Sequence, residues 1–434
     1  MSGSTTGIFR SLRSVNYRIW AIGALVSNIG TWIQRTAQDW LVLTQLTHHN
    51  ATAVGIVMGL QFGPQLLLLP ISGHLADHFD KRRLMIITQA AMGALALALG
   101  ILTVTGWVQL WEVYVFAFLF GCTTALDAPA RQTFISSLVR DADLSNAVAL
   151  NSSSFNAARM IGPAIAGVLI ASVGTGWAFL INGVSFIAVL CSLAFLRVDE
   201  THPSHQAAAN RRSLLDGFRY VSKRPDLITI LFMLALIGTF GLNFPIFIST
   251  MSVTVFHAGA SQYGLLTSTM AIGTLGGSLL AARREKPSVM VLMAGAALFG
   301  VGLTLAAVAP NFWCFGATLV IVGVSAMTLT TGTSSLMQLS TEPGMRGRVL
   351  ALRLAVALGG TPIGAPIVGW VADRFGPRWS LAVGAASGFA AAIVAICYLV
   401  KHCRLRVHME AGRLRFEVGN DPALEVHGSA VTGI

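Results

Sequence analysis

Charge is scarce in this chain. Asp, Glu, Lys and Arg make up 11% of its 434 residues, whereas 54% are hydrophobic, and the mean hydropathy is +0.69. That leaves too little polar surface to cover a water-soluble globule of this length, so the chain belongs in lipid. Cysteine is also sparse. Cys122, Cys191, Cys314 and Cys397 lie inside apolar runs and Cys403 just beyond the last one. With no CxxC pair they give no redox or zinc motif and read as small core residues. No GxxxxGK(S/T) phosphate loop occurs, so ATP hydrolysis by that route is excluded and no cofactor is expected. The first sixteen residues lack a short apolar stretch ahead of a small-residue cleavage site, so no signal peptide is expected to be removed. No nucleophile, base and metal-ligand cluster falls at one depth, which argues against an enzyme. His74 and His78 are one turn apart, but only Asp77 and Asp80 accompany them, so no metal is expected.

The formal net charge is +11, which by itself would suit nucleic acid. The basic residues, however, cluster between apolar runs, as membrane-topology determinants do, so no nucleic-acid partner is expected. Alternate connections carry them: Arg10, Arg13 and Arg18; Lys81, Arg82 and Arg83; Arg140; Arg211 to Arg224; Arg283, Arg284 and Lys286; Arg346 and Arg348. The intervening loops are short and nearly neutral, Arg374 and Arg378 excepted. The positive-inside rule then puts the basic loops and both termini in the cytoplasm, in a multi-pass protein of a bacterial inner membrane.

At about 20 apolar residues per crossing, the chain holds twelve candidate spans. They run near 17 to 46, 51 to 77, 83 to 106, 110 to 131, 144 to 173 and 176 to 198, then 226 to 256, 260 to 283, 288 to 309, 311 to 338, 347 to 373 and 378 to 401. The expected organisation is an N-terminal segment (1–16), a six-helix bundle (17–198), a central cytoplasmic loop (199–225), a second six-helix bundle (226–401) and a cytoplasmic tail (402–434). The central loop contains a plausible amphipathic helix and reads as a hinge. The tail alternates polar and apolar residues around Ala411 and Gly412, a pattern that a small hairpin would suit, but a disordered tail is expected.

The halves are related. Ile161, Gly162, Ile165, Gly167, Gly174, Trp177 and Ser185 return 202 positions later as Ile363, Gly364, Ile367, Gly369, Gly376, Trp379 and Ser387. A repeat at half the chain length points to two pseudo-symmetric halves, the way many secondary transporters enclose a midplane cavity.

The connection after the second span reads Gly73, His74, Leu75, Ala76, Asp77, His78, Phe79, Asp80, Lys81, Arg82, Arg83. It resembles G-x-L-A-D-(R/K)-x-G-(R/K)-(R/K), the signature loop of the major facilitator superfamily, with His78 and Asp80 as departures. The resemblance extends over essentially the whole chain and implies an all-α integral membrane protein, twelve helices in two six-helix halves. Gly73, Asp77, Lys81 and Arg82 are the expected gating loop. Gly73 would permit close helix approach, and Asp77 would sit near the start of the eleventh span as a latch. In the fifth span, Arg159, Gly162, Pro163 and Gly167 resemble the superfamily's antiporter element G-P-x-x-G-G, although helix packing alone would need the same small residues.

Charges inside spans should face a cavity or a partner. Arg35 and Asp39 are one turn apart and are expected to pair. Asp39 is the leading candidate proton carrier, with Arg35 as its partner and Asp127 as runner-up. Asp127 and Arg131, near the cytoplasmic end of the fourth span, read better as gate or loop anchors. Gln34, Gln38, Asn156, Asn243 and Thr331 are candidate cavity polar contacts. Trp32 to Val42, Asp127 to Val139 and Asn146 to Gly167 resemble the bacterial efflux branch that includes the enterobactin exporter and macrolide or multidrug antiporters. That implies proton-driven export of a small amphiphilic solute by a monomer in the bilayer. The rival within transport is a siderophore or metabolite exporter, for which Arg35 and Arg159 would be anion contacts; from another class, a membrane receptor that moves nothing.

Overall fold

The computed structural model describes residues 9–196, 214–282, 288–402, 406–410 and 413–417. After a short 3-10 turn (Arg10–Arg13), the first half contains α1 (Val15–Trp40), α2 (Ala51–Leu67), α3 (Leu69–His78), α4 (Lys81–Val104), α5 (Leu110–Ser137), α6 (Asp141–Val173) and α7 (Thr175–Ala194). The remainder contains α8 (Leu214–Ser222), α9 (Pro225–Leu236), α10 (Phe244–Thr250), α11 (Ala260–Ala282), α12 (Val289–Ala307), α13 (Phe312–Leu339), α14 (Arg346–Phe375) and α15 (Pro377–His402). Strands β1 (Arg406–Glu410) and β2 (Arg413–Glu417) pair antiparallel with Arg406 opposite Glu417, so these residues form the small hairpin and not the disordered tail expected.

Helix starts follow the local chemistry. Asn50 accepts from the Ala53 N–H at the head of α2 (2.9 Å), and Asn311 does the same for Cys314 in α13 (2.9 Å). Asp80 accepts from Arg83 N–H (2.7 Å) and caps α4, so an aspartate at the signature's glycine position starts the next helix. Gly174 and Gly376, one repeat apart, both turn the chain at positive φ (93° and 100°), a region glycine enters without strain.

Among the described residues, ten helical stretches, with Pro225–Val255 across α9 and α10 counted as one, are long and apolar enough to cross a membrane by length and composition. The first two expected spans fall short of that measure. α1 holds Arg18, Arg35 and Asp39, and the second span is broken at Leu68, leaving α2 with 17 residues before a proline-led α3. Wide π turns lie at Leu41–Leu46 after α1, and at Ile237–Gly241 and Met251–Val255 on either side of α10.

The described chain forms two compact units. The first combines α1 to α7 with residues 245–271 and 365–377; the second holds α8, α9, α12, α13, α15 and the rest of α11 and α14. Within the first unit, the start of α1 is tied to the end of α5 and to α6: Ser14 donates to Leu138 O (2.7 Å) and Tyr17 to Ala147 O (2.8 Å). Tyr17, Trp20, Phe134 and Leu193 are part of the apolar core there.

The repeated glycines mark helix crossings. A Cβ at Gly162 would stand 2.5 Å from Trp32 Cβ on α1, and one at Gly167 2.8 Å from Ala260 O on α11. In the second unit, a Cβ at Gly364 would overlap Thr239 O of the seventh span. Gly369, in the first unit, has the Ala51 O of α2 2.5 Å from its would-be Cβ. Gly73 differs: a Cβ there would meet none of the described residues within 4 Å. Gly364→Ala should therefore lower the thermal unfolding midpoint, at an overpacking cost of about 1 to 3 kcal/mol. Gly73→Ala should leave that midpoint unchanged in a thermal-shift assay of the detergent-solubilised protein.

Candidate substrate and ion site

The second half of α1 distributes its polar residues over several faces. Gln34 is buried and accepts from Asn182 Nδ2 of α7 (2.6 Å), a helix-to-helix clasp rather than a cavity contact. Gln38 is also buried. Asp39 is 9% exposed, and its Oδ2 accepts a hydrogen bond from the Tyr263 hydroxyl of α11 (3.3 Å). The Tyr263 ring in turn stacks on Trp40, with centroids 5.8 Å apart. The expected Arg35–Asp39 ion pair is not formed. Among the described residues the pairs within 4.0 Å are Arg10–Asp143, Arg131–Asp127 and Arg224–Asp226. One-turn spacing brings side chains near each other but does not choose between partners, and here Asp39 meets Tyr263 while Arg35 meets Trp32 of its own helix and Phe62 of α2.

Arg35 points instead at aromatic rings. Its guanidinium carbon lies 5.2 Å from the Trp32 centroid and 5.6 Å from that of Phe62. The guanidinium of Arg159, on α6, lies 5.6 Å from the same Trp32 ring, which also meets Phe155 edge-on at 5.8 Å. Two cations therefore share one indole, with no carboxylate of the described residues within ion-pair distance of either. The Arg35 Nε is buried without a hydrogen-bond partner. A ring quadrupole attracts such cations by about 0.5 to 2 kcal/mol each and does not neutralise them. Trp32 and Arg35 line a cavity of about 760 Å³ whose wall also includes Asn28, Phe62, Asn151 and Phe155.

Asp127 and Arg131 line the same cavity but are committed to each other. Asp127 Oδ2 accepts from Arg131 Nε (3.0 Å) and a terminal nitrogen (2.7 Å). Its Oδ1 accepts from Thr88 (2.8 Å) and Gln89 (3.0 Å), and Arg131 also reaches Asn28 (3.2 Å). With four donors on one buried carboxylate, this is an anchor tying α1, α4 and α5 together. Arg82 is likewise structural: it donates to the carbonyls of Leu193 (2.8 Å) and Ala194 (3.1 Å) at the end of α7, where a cation suits the helix dipole. Lys81 is the first residue of α4. The Asp77 side chain, and with it the latch expected there, lies outside the described residues.

The antiporter-like element packs on both sides. Gly162 meets α1, while Gly167 and the Pro163 carbonyl meet Gly264 of α11, and Ser261 donates to Gly167 O (3.2 Å). Asn156 bonds its own helix at Ser152 O (2.9 Å) and is not part of the cavity wall. In the second unit, Asn243 is fully buried, donates to Thr239 O (2.7 Å) and keeps an unpartnered Oδ1. Thr331 is half-buried on α13.

Sequence reasoning missed three residues. Tyr263 reads as an ordinary core aromatic until its hydroxyl is seen on Asp39. Arg353, on α14, donates to Thr330 O and Thr333 Oγ1 (3.2 Å) and has a buried, unpartnered Nε. Its signal was available, because the 202-residue offset maps it onto Asn151 in the wall of the first cavity. Asp373 is the third, and its carboxylate caps α2.

A bundle of long apolar helices with a cavity walled by polar and aromatic groups fits a membrane transporter, and the matching family model places it in the major facilitator superfamily. The chain belongs to the transmembrane secretion effector family of that superfamily, which it matches over residues 6–422; it is a multi-pass membrane transporter and not an enzyme. It is 28% identical over 354 residues to the staphyloferrin A transporter of Staphylococcus aureus, covering 80% of this chain and 87% of that protein. To the enterobactin exporter EntS of Shigella flexneri it is 24% identical over 371 residues, covering 84% and 87%. Its fold is similar to that of a bacterial homologue of the human lysosomal transporter Spinster, in an inward-facing and occupied conformation (TM-score 0.72, 15% identity, 89% and 97% covered). It is also similar to a D-xylose–proton symporter (TM-score 0.68, 14% identity, 88% and 97% covered). The fold is thus the twelve-helix one expected.

The anchor and the candidate carrier should behave differently in stability measurements. Asp127→Asn strands the Arg131 charge and should cost about 3 kcal/mol. Asp39→Asn removes one long hydrogen bond and should cost no more than about 1 kcal/mol. Equal shifts in the unfolding midpoints of the two variants would contradict the division of roles.

Proposed function

We propose that this chain is a proton-coupled exporter in the bacterial cytoplasmic membrane that expels a small anionic amphiphile, working as a monomer with both termini in the cytoplasm. The observation that carries the reading is the pair of guanidiniums, Arg35 and Arg159, on the Trp32 ring, where Trp32 and Arg35 line a cavity and no carboxylate of the described residues lies within ion-pair distance of either cation. Uncompensated cations at membrane depth are costly and imply a ligand that supplies the missing charge. A carboxylate or catecholate would do so through paired hydrogen bonds to the planar guanidinium, and its apolar part would lie on Phe62 and Phe155. A cationic drug would meet like charge. Two relatives whose names give a cargo, a staphyloferrin A transporter and an enterobactin exporter, support the siderophore reading over the multidrug one.

In this reading Asp39 carries the proton. It is the buried carboxylate of α1 that the anchor at Asp127 leaves free for the task, and its single donor, Tyr263, leaves room for a proton. Residues 199–225 tether the six-helix halves 17–198 and 226–401, and the loop around Asp77 and Lys81 gates the cytoplasmic end.

Transport into inverted vesicles tests both parts. A ferric-chelator polycarboxylate or catecholate should accumulate under an imposed pH gradient, and a cationic dye should not. Arg35→Gln and Arg159→Gln should each lower anion uptake at least about tenfold, the loss of roughly one charged hydrogen bond. Asp39→Asn should abolish uphill uptake while sparing exchange of internal for external solute. Uptake of the cationic dye at the same rate in wild type and both arginine variants would overturn the anionic assignment, and gradient-driven accumulation by Asp39→Asn would overturn the carrier.

A further inference from the structure

An α-helix begins with N–H groups that have no partner inside the helix. In α2, Asn50 takes that of Ala53 (2.9 Å). The two before it are taken from 322 and 321 residues away: Asp373 Oδ1 accepts from Ala51 N–H (2.7 Å), and its Oδ2 from Thr52 N–H (2.8 Å) and the Thr52 hydroxyl. Asp373 lies in the last turn of α14. An anion there opposes the dipole of its own helix, so the folding of α14 gives no reason for it; the reason lies in α2. Around this cap the helices touch backbone to backbone, with Gly55 against Ala365 and Gly369 against Ala51. The site is wet: Asp373 is exposed and borders a cavity of about 480 Å³ shared with His48, His49 and Thr254.

The repeat offers a control. Its counterpart crossing, α6 with α11, uses the same glycine geometry but is joined by a neutral hydroxyl, Ser261 on Gly167 O. Charge has been placed at one crossing of the pair.

We propose that Asp373 is a releasable latch that holds the α2–α14 crossing closed at the end away from the Lys- and Arg-rich loops, and that it must let go for that end to open. An exposed carboxylate on a helix start biases a two-state element without freezing it. Opening here is expected to part α6 from α11 as well, because both crossings belong to one compact unit.

Amide hydrogen exchange on the full chain in nanodiscs tests this without reference to any substrate, so it stands or falls separately from the transport reading. Residues 258–268, at the head of α11, do not touch Asp373. In Asp373→Ala their exchange should quicken by about tenfold, the scale of an anion lost from a helix start. Asp373→Asn and Thr52→Val, which keep part of the cap, should fall between that variant and wild type, and they carry the test if the alanine variant does not fold. Acceleration confined to residues 48–56 would reduce Asp373 to a local cap and overturn the proposal, as would no change at all.

Discussion

Close approach of helix backbones is the constraint on which this structure rests. Lipid supplies no hydrophobic drive to bring one apolar helix against another, so the helices associate through tight contact between small residues. Glycine at 162, 167, 364 and 369 removes the side chain at four such contacts, and each opposing surface is backbone or the first carbon of a side chain. The sites at which charged groups sit are consequences of this packing. Trp32, which bears the two guanidiniums, is the residue against which Gly162 closes. Tyr263, which bonds Asp39, neighbours Gly264, whose missing side chain lets α6 in.

Against that frame of small residues, the ionised groups fall into two kinds. Asp127 with Arg131, and Arg82 on the end of α7, each make several hydrogen bonds and fix helices in place. Arg35, Arg159 and Asp39 have few partners, and those are aromatic or phenolic. Rigid, satisfied charge beside loose, unsatisfied charge is how a bundle can keep its shape while part of its interior answers to a solute or a proton.

The spans were legible because lipid imposes a length and a composition on each helix, and the repeat was legible because the same crossing occurs twice. Gly162 and Gly364 close against the first and seventh spans, Gly167 and Gly369 against the starts of the eighth and second. The loose contacts were not legible. The 35 to 39 spacing favours a pair, yet Asp39 finds its donor 224 residues away, and nothing local announces that. Asp373 looks like a loop charge until the start of α2 is seen beside it. Arg353 could have been reached through the repeat, since its counterpart Asn151 lines a cavity. Asp80, a departure from the signature pattern, could have been read as a helix cap from its position one residue before α4.

The wide turns that end α1 and flank α10 carry a geometrical consequence. A π turn holds one residue more than the α turn it replaces, and each residue of an α-helix occupies about 100° of azimuth. Resolving the bulge at Leu41–Leu46 into regular coil would therefore swivel Asp39 by roughly a quarter of a circle relative to the end of its span. A single inserted residue thus stores a rotation, and the seventh span, which the repeat makes the partner of the first, holds two.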